Sequence, residues 1–188
     1  TQARVRVVAG VTSSAAVAAS LSGTTLMGST VAPALSDYTL VTAGSATPTV
    51  TVNGTAVALA STPTLLAGGD YTLLVYGAPG TASAAMVTDD NSLPSDTSKA
   101  KLRLINGVSG TTLTLKLGLV VKASGIASGA ASDYTLADAT TTGSIQVTSA
   151  DGLLDFSAGT LTLQASGVYS VLMLGSTSAP VGQLNRDR

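Results

Sequence analysis

Ten aspartates, nine basic residues and five tyrosines are the main stock of side chains in this sequence that could hold, move or attract charge. There is no His, no Cys, no Trp and no Glu. A histidine-based triad, a thiolate nucleophile, a Cys/His zinc site, haem or iron–sulfur ligation and a histidine proton shuttle therefore lack their atoms within this chain. Asp89, Asp90, Asn91 and Asp96 gather side-chain oxygens in one short polar stretch, and Ca²⁺ wants oxygen ligands of this kind. Their spacing is not that of an EF-hand and no Glu exists to close a bidentate ligand, so the stretch reads as a solvated turn and no metal site is assigned. Ser98 and Lys101 match the S-x-x-K nucleophile pattern, but here it straddles a linker and a strand and its companion motifs are missing. Paired carboxylates for glycosidic cleavage need one acid in an apolar cleft, whereas these Asp lie beside Gly, Ser or Thr in apparent turns. The expectation is a chain that is not an enzyme, with no catalytic residue and no cofactor.

Three further groups are singled out. Tyr38 and Tyr134 each follow Asp inside the repeated segment SDYTL. They are expected to be corner tyrosines, with the ring on the core edge and the hydroxyl bonded to the backbone. Arg4, Arg6, Lys101 and Arg103 form a doubled basic stripe that a polyanionic glycan or acidic headgroup could use. The plainer expectation is that these charges guard an exposed edge or face against strand-to-strand aggregation. Asn53-Gly54-Thr55 fits a glycosylation sequon but is better read as a hairpin turn.

The elements that must position these groups are written twice. Ala3–Val8 (ARVRVV) returns as Ala100–Ile105 (AKLRLI), Ser36–Leu40 recurs letter for letter at Ser132–Leu136, and Asp70–Gly77 (DYTLLVYG) is echoed by Val168–Gly175 (VYSVLMLG). The order is kept throughout, which means two copies of one domain. The domains are expected at residues 1–92 and 100–188, with a linker at 93–99 containing Pro94. Within each copy apolar residues alternate with polar ones, the period of a β-strand. Strands are predicted at Ala3–Val8, Val17–Leu21, Tyr38–Val41, Thr64–Leu66, Tyr71–Tyr76 and Ala84–Thr88. Their counterparts are Leu113–Leu117, Tyr134–Leu136, Thr160–Leu163, Tyr169–Leu174 and Gly182–Leu184, and Ala123–Ala131 is read as loop. Asn53-Gly54 predicts a type I′ hairpin turn inside Thr49–Leu59, and Asp151-Gly152 takes its place in the second copy. The expected fold is all-β: two tandem immunoglobulin-like antiparallel β-sandwich domains.

Composition narrows the class. Ala, Thr, Ser and Gly supply 100 of the 188 residues, yet mean hydropathy is positive at +0.44, so the chain carries enough apolar mass to fold. A formal net charge of −1 with nine scattered basic residues argues against nucleic acid. No run approaches the roughly 18 apolar residues of a spanning helix. Five Tyr and one Phe cannot make the two aromatic girdles of an outer-membrane barrel. The sequence begins at Thr1 without an initiator Met, as a mature or trimmed form would.

Val5–Val8, Ser36–Leu40, Ala67–Gly77, Asp89–Ser92 and Lys101–Ile105 together resemble the bacterial family catalogued as domain of unknown function 4397. The resemblance spans nearly the whole chain in two copies. Ala9-Gly10-Val11 and Asn106-Gly107-Val108 stand where such proteins often show Asn-Ala-Ser or His-Ala-Ser. It implies an exported, lipid-anchored or secreted envelope protein (periplasm or outer surface) with no established activity, and it supplies no catalytic residues. A structural or interaction module with a protein or glycan partner at the cell surface is therefore expected, with a lipid anchor upstream of Thr1 compatible with that location. A weak tandem glycan- or polymer-binding module is the alternative.

Overall fold

A computed structural model describes residues 1–61 and 63–188. The chain divides into two compact units, Thr1–Asp90 and Asn91–Arg188. Unit 1 runs β1 (Gln2–Val11), β2 (Ala16–Leu21), β3 (Thr24–Val31), β4 (Ala34–Leu35), β5 (Thr39–Thr42), β6 (Thr49–Val52), β7 (Thr55–Val57), β8 (Asp70–Gly77) and β9 (Ser83–Asp89). Unit 2 runs β10 (Lys99–Asn106), β11 (Leu113–Leu117), β12 (Val120–Ile126), β13 (Thr135–Asp138), β14 (Thr140–Ser149), β15 (Asp155–Leu163), β16 (Val168–Gly175) and β17 (Pro180–Arg186). Between β8 and β9 lies a single 3-10 turn at Pro79–Thr81. No helix among the described residues is long and apolar enough to cross a membrane.

Each unit has two sheets. In unit 1, β1 is flanked by β4 and β5 on one side and by β8, then β9, on the other, while the second sheet is ordered β3-β2-β6-β7. Unit 2 repeats the plan as β13-β10-β16-β17 and β12-β11-β14-β15. The two sheets of a unit share one core. Val5, Val7, Leu73 and Val75 from the first sheet meet Val17, Leu21, Val50 and Val52 from the second. Leu102, Leu104, Val171 and Met173 meet Leu113, Leu115, Ile145 and Val147 in unit 2.

The expectation of wholly antiparallel sheets fails at one pair in each unit. β1 runs parallel to β8, from Arg4 opposite Asp70 to Val11 opposite Gly77, and β10 runs parallel to β16. Strands paired this way are covered on both faces, and Val5–Val11 and Ala100–Asn106 are buried without interruption. A period-two pattern names the core face of a strand but says nothing of its neighbours.

The Asn53-Gly54 turn is as predicted, with φ of 49° and 78° joining Val52 to its partner Thr55. Asn53 Oδ1 also accepts the Ala16 amide at 2.9 Å. Asp151-Gly152 is different. Only Gly152 has positive φ, at 74°, and the ladder closes between Ser149 and Leu154 around a longer loop. Part of the segment read as loop, Ala123–Ile126, belongs to β12, and of Thr64–Leu66 Leu65 alone pairs, in an isolated bridge to Gly44. Residues 93–99 are tied to unit 2, through Ser166 Oγ donating to the Thr97 carbonyl at 2.9 Å and the Ser166 amide donating to the Lys99 carbonyl at 2.8 Å.

Candidate functional site

The basic stripe is not on an exposed edge. β1 and β10 are interior strands of their sheets, and Arg6, Lys101 and Arg103 retain 3%, 6% and 2% of their accessible surface. The parallel neighbour explains how charge is tolerated there, because register places Arg4 opposite Asp70 and Arg6 opposite Thr72. Arg4 grips Asp70 through two bonds, Nε to Oδ1 at 2.7 Å and Nη2 to Oδ2 at 2.6 Å. That carboxylate raises the Arg4 guanidinium above its ordinary value by hydrogen bonding to the charged form.

Deeper in the same face runs a chain of polar contacts. Arg6 Nε donates to Thr72 Oγ1 at 2.9 Å, Thr72 Oγ1 donates to Asp89 Oδ2 at 2.7 Å, and Tyr38 donates its hydroxyl to the same Oδ2 at 2.7 Å. Arg6 and Asp89 also form a buried ion pair at 3.9 Å, with side chains 3% and 0% exposed. The Tyr38 ring lies against both guanidinium groups, 5.2 Å from Arg4 and 5.0 Å from Arg6. Such cation–π contacts add attraction where water is excluded.

Unit 2 rebuilds the cluster. Arg103 Nε donates to Ser170 Oγ at 3.1 Å, and Ser170 donates to Asp187 Oδ2 at 2.5 Å. Tyr134 lies under Lys101 and Arg103 at 4.7 and 4.8 Å. The one charge dropped is the counterpart of Asp70. Val168 stands opposite Lys101, whose ammonium reaches Ser92 Oγ at 3.2 Å.

The structure therefore corrects two expectations. Tyr38 gives its hydroxyl to a carboxylate and its ring to two cations, not to a backbone corner. The corner role falls to Tyr71 and Tyr169, both buried, whose hydroxyls accept the amides of Leu66 at 2.8 Å and Gln164 at 2.9 Å. Gly69 and Gly167 make room for them, since a Cβ there would stand 2.8 and 2.5 Å from the ring. The shared spacing Ala-x-Gly-x-Tyr, at Ala67–Tyr71 and Ala165–Tyr169, is the signal that would have found them.

The oxygens of the polar stretch at 89–96 have partners within their own units. Asp89 is committed to Tyr38, Thr72 and Arg6, while Asp96 Oδ1 accepts the Ser98 amide at 2.9 Å and the Ser98 hydroxyl at 2.6 Å. Asp90 closes unit 1, and the Asn91 carbonyl accepts Arg188 Nη1 at 3.0 Å in unit 2. Among the described residues no three His, Cys, Asp or Glu gather as metal ligands would. Of the S-x-x-K pair, Ser98 is turned to Asp96 and Lys101 to Tyr134 and Ser92.

A shallow groove of about 370 Å³ lies in unit 2, where Thr111, Thr112, Ser128 and Asp151 line it together with Gly110, Ala127 and Ala150. Asp151 is held below the ordinary carboxylate range, first by the Ser149 hydroxyl and then by the Leu153 amide. Asn106, fully buried, braces this end by donating to the Thr111 and Ile126 carbonyls at 2.9 Å and accepting the Val108 amide at 2.8 Å. Hydroxyls and an ionised carboxylate can hydrogen-bond a polyol.

These features define an all-β protein of two-sheet units, each with a cation–tyrosine–hydroxyl–carboxylate cluster set into its mixed sheet. The chain belongs to the family described as Domain of unknown function (DUF4397), which matches it over residues 3–115, all of unit 1 but its first two residues and, in unit 2, β10 and the start of β11. No curated protein matches it in sequence. Among solved structures, one of a proposed cell adhesion protein from Bacteroides fragilis aligns at 11% identity over 100% of this chain and 98% of its own, with a TM-score of 0.30. That likeness is too distant to carry any argument about this chain.

Proposed function

We propose that the chain is a non-catalytic structural or interaction module of an exported bacterial cell-envelope protein, built as two tandem immunoglobulin-like β-sandwich domains at residues 1–92 and 100–188. One observation carries this reading. In both copies the residues most capable of chemistry, Arg6, Tyr38 and Asp89 in one and Arg103, Tyr134 and Asp187 in the other, are spent on the same internal cluster. A duplicated internal brace serves folding; a duplicated active site would leave its groups open to a substrate. The test is to tag the natural protein in its own host, separate envelope, periplasm, medium and cytosol, and treat intact cells with protease. Recovery outside the cytosol is expected; confinement to the cytosolic fraction would overturn the envelope reading.

A second reading, weak binding of surface glycans, is favoured by the hydroxyl- and carboxylate-lined groove at Thr111, Thr112, Ser128 and Asp151. A glycan array would report it. Binding that survives Asp151→Ala together with Thr112→Ala would rule out this groove.

A further inference from the structure

The tandem copies provide their own control. Each second sheet begins with a two-residue hairpin at the same place in the repeat: Ser22-Gly23 joins Leu21 to Thr24, and Gly118-Leu119 joins Leu117 to Val120. In unit 1 the tip continues with Thr24-Thr25 and is polar throughout. In unit 2 it reads Leu119-Val120-Val121, exposed to 98%, 58% and 52%. Val120 and Val121 point to opposite faces of their strand, yet both are more than half exposed. This end of the hairpin therefore projects past the core with neither face covered.

A lysine stands behind the tip on each strand. Lys116 lies directly opposite Val121, and Lys122 follows it where a register shift interrupts the β11–β12 ladder. From Thr111 to Ser132 these two are the only charged residues, in a chain that is only 10% charged. Lys122 donates a hydrogen bond to the neutral Leu136 carbonyl at 2.8 Å, and Asp138, whose field it feels, is already held by Lys99 at 2.7 Å.

We propose that the β11–β12 hairpin tip is a docking point for an anionic lipid surface, with Leu119, Val120 and Val121 entering the headgroup region and Lys116 and Lys122 pairing with lipid phosphates. An exposed apolar patch in a folded protein calls for an occupant. A convex tip of three side chains offers far less than the roughly 800 Å² per side of a stable protein interface. A bilayer needs no matching surface: shallow apolar insertion and a cationic collar act together. This proposal does not rest on the function proposed above, because vesicle binding and cellular location are read separately.

The experiment is co-sedimentation of the full chain with vesicles of phosphatidylglycerol and phosphatidylethanolamine, against vesicles of phosphatidylcholine alone. Partition onto the anionic vesicles is expected to exceed that onto the neutral ones roughly tenfold and to fall with added salt. Leu119→Ser, Val120→Thr and Val121→Thr together reproduce the character of unit 1's tip while keeping β-branched residues in the strand, and should abolish it. Lys116→Gln with Lys122→Gln should reduce it to the neutral level. Circular dichroism and a thermal melt establish that both variants fold. Absence of partition onto anionic vesicles, or equal partition by the polar-tip variant, overturns the proposal. So does a concentration-dependent dimer that disappears in that variant, which would assign the tip to a second copy.

Discussion

Arg4 and Asp70 face each other across the parallel β1–β8 pair and are joined by two hydrogen bonds, yet the pair is unequal: the Arg4 side chain is 50% exposed and that of Asp70 only 10%. Losing either partner thus has different consequences. Asp70→Val leaves a cation that can turn to water and installs the residue that unit 2 has at Val168, so the cost should stay within about 1 kcal/mol. Arg4→Ala leaves a largely buried carboxylate without its main partner and should cost more, about 2 kcal/mol after allowing for the exposure of the pair. Urea denaturation of the two variants, followed by hydrogen exchange at β1 and β8, would test the order; equal losses would contradict it.

The buried corner tyrosines make a paired prediction. Tyr71→Phe and Tyr169→Phe remove only an acceptor, leaving the amides of Leu66 and Gln164 without it, and each should lower the stability of its unit by about 1–3 kcal/mol. Gly167→Ala should cost a similar amount by overpacking, since its Cβ would meet the Tyr169 ring at 2.5 Å and the Gln164 carbonyl at 2.9 Å. Thermal melts that leave these variants unchanged would show that the corner is dispensable.

The cores of the two units exchange volume across the same pair of strands. Val7 stands opposite Leu73 in unit 1, and Leu104 opposite Val171 in unit 2, all four fully buried. Leu73→Val alone should open a void costing about 1 kcal/mol, and Val7→Leu alone should overpack by about 1–3 kcal/mol. The double variant should recover most of both losses. A double-mutant cycle checks this, and strict additivity would mean that the two positions do not share a space.

Acid should weaken unit 2 through three of its carboxylates. Asp151 is lowered chiefly by the Ser149 hydroxyl, Asp138 by hydrogen bonding to Lys99, and Asp96 by the Ser98 hydroxyl. A carboxyl whose folded value is depressed adds stability that is complete above its unfolded value and fades as the pH falls through the folded one. The loss should therefore begin near pH 4 and deepen below it. Asp151→Asn should flatten the pH dependence of unit 2 in that range, as read by denaturation midpoints between about pH 5 and pH 2. An unchanged slope would mean that the Ser149 bond persists in the unfolded chain or contributes nothing.

Period and turn chemistry were legible from sequence wherever a single strand or loop decides them. Asn53-Gly54 adopts the φ pair its type I′ turn requires, and the alternation in Val5–Val8 and Leu102–Ile105 marks strands correctly. β3 escaped because Leu26 and Met27 are buried side by side and register shifts interrupt its pairing with β2, so no alternation survives. β12 escaped because Ala123-Ser124-Gly125, with Gly125 at φ 67°, has the composition of a loop. The cluster was half visible. Arg4, Arg6, Tyr38 and Asp89 all stood out by type, but what joins them is the arrival of β8 beside β1 and of β9 beside β8. Thr72 and Ser170, the hydroxyls that link cation to carboxylate, are lost in a sequence with 28 Thr and 23 Ser.

The parallel pairing of β1 with β8 also sets a timetable. Arg4 and Asp70 are separated by 66 residues, and Arg103 and Ser170 by 67, so the first strand of each unit has one of its two sides paired only near the end of that unit. During synthesis β1 leaves the ribosome long before β8 exists, and the loop between them must close before either Arg6 or Asp89 is neutralised. Each unit should thereby stay open until nearly all of it has been made, and nascent chains stalled before Tyr71 should remain sensitive to protease along β1.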